Sequence, residues 1–154
     1  MRYKRAGKTI FAVGVIGTVL LTKPAMTWAA GNTEPDPLAL RKIMQDQGLH
    51  MQTITAAICR EDWQRVAIIA PLIADHPQPP LAEKIRILRF IGSDVGRYKN
   101  HDKQTSQAGQ ELKQAAERID GPEVISAFAA LQNSCLACHQ NFRKPFQEYF
   151  YEQR

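Results

Sequence analysis

Cys135, Cys138 and His139 belong to the run Cys135-Leu136-Ala137-Cys138-His139, which reads C-x-x-C-H. That spacing suits covalent attachment of one c-type haem. Two thiols add across the two vinyl groups of the porphyrin and leave two thioether links. The imidazole next in sequence then reaches the iron from one side. On a helix, positions i, i+3 and i+4 share a face, so the three side chains point at one ligand together. Three rival readings of the cysteine pair stand beside this one. A thiol–disulfide centre usually opens a helix after a strand, whereas this pair lies about four turns inside a helical pattern that starts near Pro122. A structural zinc site needs about four ligands, and no second Cys/His pair at finger spacing is present. A disulfide between positions i and i+3 of one helix has poor bridging geometry.

The elements that carry this motif begin after a separable N-terminus. Arg2, Lys4, Arg5 and Lys8 precede an apolar stretch from Ile10 to Leu21, and Thr27-Trp28-Ala29-Ala30 offers small residues for cleavage after Ala29 or Ala30. This is the layout of a secretory signal peptide over residues 1–30. The apolar stretch is shorter than the ~20 residues that span a bilayer. The chain has 20 Lys and Arg against 15 Asp and Glu. Five of the cations (Arg2, Lys4, Arg5, Lys8 and Lys23) and none of the acids fall within those thirty residues, so residues 31–154 are formally neutral. A nucleic-acid surface is therefore not expected. Export agrees with haem attachment, which is completed outside the cytoplasm. Cys59 is the odd third cysteine. It reads as a small buried residue near a helix end, with an intermolecular disulfide as the alternative.

From residue 37 the chain reads as helices only. Asp36-Pro37 is a helix start, and Leu40, Ile43, Met44, Met51, Ile54 and Ile58 give a stripe over 37–58. Gly48, beside that stripe, suggests close approach of a neighbour or a flat ligand. Trp63, Val66, Ala67, Ala70 and Ile73 mark a second helix, which Pro71 should kink or end. A long third pattern runs from Leu81 to Ile119, with break points at Gly92-Ser93 or at Lys99–Asp102. Its alanines at 108, 115 and 116 suggest tight packing against something bulky. Asp120-Gly121-Pro122 opens the last helix, whose face carries Val124, Phe128, Leu131, Cys135, Cys138, Phe142 and Phe146. Pro145 should bend or end it, leaving the aromatic tail as a frayed end or a flap. His50 and His101 read as surface or polar-edge residues, and His76 as a loop residue before Pro77. The expected fold is all-α, an up-down-up-down four-helix bundle over residues 31–154 with haem bound to the last helix. Burying ~400 Å² of macrocycle at about 25 cal/mol/Å² gives at most roughly 10 kcal/mol, so the haem-free chain is expected to be poorly ordered.

With the motif near the C-terminus of a helical chain, the run Asn133 to Lys144 resembles cytochrome c prime, the class II c-type cytochromes, whose last helix typically reads C-x-A-C-H-x-x-[FY]-R. The segment from Arg41 to Met51 resembles their first helix more loosely, and the likeness covers about residues 37–146. It implies a four-helix bundle in the periplasm, His139 as proximal iron ligand, and electron transfer or small-gas binding. It implies Arg143 near the haem on the proximal side. It also puts Met44 at the distal position, which holds a bound methionine in low-spin relatives and a non-ligating apolar residue in five-coordinate ones. The family arginine near a propionate falls on Leu40, with Arg41 one place over. Relatives are often homodimers through the first two helices.

The resulting expectation is an electron carrier, not an enzyme, with one covalent haem c, His139 and Met44 on the iron, Cys135 and Cys138 in thioether links, and Arg143 and Arg41 near the carboxylates. Its partner would be another redox protein. The alternative is a five-coordinate module that binds NO or CO. A peroxidase-like reading needs a polar distal acid or base, and the first helix offers nothing better than Gln47.

Overall fold

Two aspartates set helix starts by accepting amide hydrogen bonds. Asp62 accepts from the Arg65 N–H at 3.0 Å, and Asp120 accepts from the Glu123 N–H at 3.0 Å. The structure is a computed structural model and describes residues 38–152. Among these residues every regular element is helical: α1 (Ala39–Ile58), α2 (Trp63–Ala74), α3 (Leu81–Ile91), α4 (Val95–Glu117) and α5 (Gly121–Tyr151). The described residues are thus all-helical in their regular structure, as the periodicity predicts. The signal-peptide reading of residues 1–30 and the helix start at Asp36-Pro37 lie outside the described residues. None of the described helices is long and apolar enough to cross a membrane.

The long third pattern breaks at the first of its two candidate points. Gly92, at φ 60°, stops α3, a 3-10 turn spans Gly92–Asp94, and Lys99–Asp102 run on as helix inside α4. Both internal prolines are absorbed. Pro71 lies inside α2, which continues to Ala74, and Pro145 lies inside α5, which continues to Tyr151. Ile119 departs from the apolar stripe: α4 ends at Glu117, and Ile119 turns outward at φ 59°, 71% exposed. Leu38, the residue before α1, supplies no capping side chain. The carboxylate of Glu83 on α3 takes that role, accepting from the N–H groups of Ala39 at 2.7 Å and Leu40 at 2.8 Å.

One apolar core joins α1, α2, α4 and α5. It holds Ile54 and Ala57, Val66, Ile69, Ala70 and Ile73, then Ala108, Leu112, Ala115 and Ala116, and finally Val124 and Leu131. Trp63, Met51, Phe128 and Cys135 pack against it. The backbones of α2 and α4 come close at Gly109, where an added Cβ would meet the Ala74 Cβ at 3.0 Å and the Ala70 carbonyl oxygen at 3.3 Å. At that point the neighbour is helix backbone, not a bulky group.

Contacts around the core fix the register. Gln47 Nε2 donates to the Leu72 carbonyl at 3.4 Å. Ala70 and Ala74 touch Gly109. Tyr98 and His101 on α4 meet the Phe142 ring on α5, with centroids 5.5 and 6.1 Å apart. Counted residue for residue along these antiparallel neighbours, Gln47, Leu72, Gly109 and residues 131–134 lie at one level. The α5 tail is not frayed: Phe90 on α3 meets Phe146, Tyr149 and Phe150 at 5.9, 4.7 and 5.4 Å. The Arg41 guanidinium lies 5.5 Å from the Tyr151 ring centroid.

Candidate functional site

Helix α5 presents Cys135 and Cys138 as half-buried free thiols, deep inside the helix rather than at its N-terminus. Burial pushes both thiols up. Cys138 reaches about 11, with the negative charges of Asp102 and Cys135 adding to the effect. Both are therefore neutral at pH 7. A thiol–disulfide or nucleophilic cysteine needs a thiolate stabilised by positive charge or a helix N-terminus, and this environment does the reverse. Among the described residues, no three His, Cys, Asp or Glu side chains come together to hold a metal ion, as a zinc site requires.

His139 follows at the surface of α5. Its imidazole is held below the ordinary histidine value, first by the protein mass on one side and then by the positive charge of Arg143, one turn further along. The neutral ring, with a lone pair to donate, is thus the form present at pH 7. Arg143 itself is exposed.

Met44 is 40% exposed. At 100° per residue, Arg41, Met44, Gly48 and Met51 share one flank of α1. Arg41 reaches Tyr151 from that flank, so the flank faces α5. Met44 lies on this flank one turn beyond Arg41. Along their length α1 and α5 touch little. A Cβ added to Gly48 would meet nothing within 4 Å. The flank of α1 that carries Met44 and Gly48 is thus open. Arg41 is drawn towards the aromatic tail, away from the thiols.

A cavity of about 340 Å³ opens between α3 and α4, lined by Lys84, Ile87, Leu88, Tyr98, Lys99 and Asp102 among others. The charge of Asp102 is felt at Cys138, and burial together with Cys138 and Asp102 pushes the Tyr98 phenol up to about 12. A second cavity, of about 410 Å³ beside Trp63 and Ile119, belongs to the other end of the core. Two neutral thiols and a neutral imidazole on one helix face form a donor set whose chemistry fits a porphyrin held by two thioethers with iron on His139.

The surroundings of the motif escaped sequence reasoning. Tyr98 and Phe142 stack beside it, and Arg97 caps the Phe142 ring at 5.5 Å. Membership of the apolar stripes was the available signal for both. His76 is not a loose loop residue, since its side chain is 12% exposed and Nε2 lies 3.3 Å from Asp102 Oδ1. His50 and His101, read as surface or polar-edge residues, are half-buried, and the Nδ1 of each is buried without a hydrogen-bond partner. Cys59, expected to be buried, is exposed where α1 ends. Comparison of the chain with family models, with curated proteins and with solved structures finds no match.

Proposed function

We propose that this chain is an exported c-type cytochrome of the cytochrome c prime kind, a four-helix bundle that carries electrons through one covalent haem on its last helix. The observation that carries the reading is the pair of neutral, half-buried thiols one turn apart inside α5, with the neutral His139 next to them. Cys135 and Cys138 hold the macrocycle by thioether links, and His139 donates its ring nitrogen to the iron. Burial, aided by Arg143 one turn on, keeps that imidazole unprotonated, and Arg143 offers its cation to a haem carboxylate. Arg41 is the second cation available to a carboxylate, on release from Tyr151. Once bound, the haem supplies a reversible one-electron change at iron. Met44, from the facing flank of α1, gives that iron a sulfur ligand, which raises the reduction potential and suits exchange with a redox partner protein.

A five-coordinate module for NO or CO is the second reading. It is favoured by one observation, the open space beside Gly48 next to an exposed Met44. In either reading the macrocycle stays with the polypeptide through denaturation. Haem staining of a denaturing gel tests this: the unmodified protein and Cys59→Ala should stain, and Cys135→Ala/Cys138→Ala should not. Staining of the double variant at full strength would remove the thioether assignment.

A further inference from the structure

We propose that His76 and Asp102 form a proton-binding site whose occupancy is tied to the oxidation state of the haem. The inference rests on the haem reading above and adds a second reaction to it, uptake of a proton with the electron.

The imidazole of His76 is held between two acceptors. Its Nδ1 lies 3.2 Å from the Ile73 carbonyl oxygen and its Nε2 lies 3.3 Å from Asp102 Oδ1. A neutral imidazole carries one N–H and can satisfy only one of them. The doubly protonated ring satisfies both, so the cage itself selects the cation, and the His76 pKa is raised by the Asp102 hydrogen bond against the opposing effect of burial.

The neighbouring charged groups have other partners or lie on the cavity wall. Asp75, where α2 ends, accepts from Gln110 at 3.1 Å. Lys84 on α3 donates to Gln78 at 3.3 Å, and its charge reaches Asp102. Lys99 and Tyr98 on α4 line the cavity that Asp102 also lines. On α5, Cys138 feels the Asp102 charge.

The state of His76 therefore sets a net charge close to a thioether cysteine. With His76 protonated the pair is neutral, and with His76 neutral a bare carboxylate remains. A carboxylate at that distance favours the more positive, oxidised haem. By reciprocity of linkage, reduction must raise the proton affinity of His76. The electron comes from the donor protein and the proton from solvent on to the unprotonated ring nitrogen of His76, and reoxidation returns both.

Reduction potential measured against pH on the haem-loaded protein tests this, using the unmodified chain, His76→Asn and Asp102→Asn. The potential of the unmodified protein should fall as pH rises through the neutral range. His76→Asn should hold the potential near the unmodified protein's high-pH value at all pH, because Asp102 stays uncompensated. Asp102→Asn should hold it near the low-pH value. A shared structural role would move both variants the same way. A flat profile in the unmodified protein, or shifts of one sign in both variants, overturns the proposal while leaving the haem reading intact. If His76→Asn fails to fold, Asp102→Asn and the unmodified profile decide. A product without haem overturns both readings together.

Discussion

Met44 is the side chain on which the sixth iron position turns. It stands on the flank of α1 from which Arg41 reaches α5, and it remains 40% exposed. A sulfur at the iron gives a low-spin spectrum, and Met44→Leu removes that sulfur while nearly keeping the volume. The substitution should convert low-spin absorption bands to high-spin ones, and a high-spin spectrum in the unmodified protein would move the assignment to the gas-binding reading. Ile119 is the other informative residue. A β-branched side chain at φ 59° pays about 1–2 kcal/mol for its backbone, and an exposed one recovers little by burial. Ile119→Gly should raise stability by about 1 kcal/mol in urea unfolding, and a loss would mean that Ile119 packs on something. At this scale, what could be read from the chain was whatever is local along it. Cys135, Cys138 and His139 declare themselves by spacing. Tyr98 and Asp102 lie on α4 and His76 follows α2, so the pairing of His76 with Asp102 and the nearness of Asp102 to Cys138 appear only with the fold. Cys59 was misjudged because its exposure depends on where α1 stops, which the apolar stripe does not mark.

The helices show how far local rules reach. Asp120-Gly121-Pro122 marks a start that the structure keeps, and the three- and four-residue apolar spacing marks the faces that pack. The break at Gly92 follows from a backbone angle that glycine adopts freely, which the polar run at Lys99–Asp102 does not require. Pro71 and Pro145 do not end their helices, which run on to Ala74 and Tyr151. The cap of α1 could not be read at all, since its carboxylate lies on α3. Glu83→Gln should weaken the protein by about 1 kcal/mol, measured by thermal unfolding. An unchanged midpoint would show that solvent caps α1 equally well. Two glycines in helices should respond oppositely to alanine. Gly109→Ala forces a Cβ against the Ala74 backbone nitrogen at 3.2 Å and should cost about 1–2 kcal/mol. Gly48→Ala meets open space and should gain up to about 1 kcal/mol in the haem-free chain. Equal effects at the two sites would contradict the close approach of α2 and α4.

Across the whole molecule, the end that holds the turns between α1 and α2 and between α4 and α5 is built on Ile54, Val66, Leu112 and Val124, all fully buried, with a hollow of about 410 Å³ beside Trp63 and Ile119. The opposite half holds the thiols, the cavity beside Tyr98 and the aromatic tail packed on α3. The haem proposal places the macrocycle in this second half, beside Cys135, Cys138 and His139. Helical periodicity announced the elements and the buried faces, but the separation of α1 from α5 arises from register and crossing geometry, which no stretch of the chain encodes by itself.

The most direct measurement is the intact mass of the protein purified from cells able to mature c-type cytochromes, taken together with its visible absorption. The account predicts one species heavier than its polypeptide by a single haem, unchanged by denaturation and coloured in both oxidation states. A colourless protein with the mass of the polypeptide alone would contradict it.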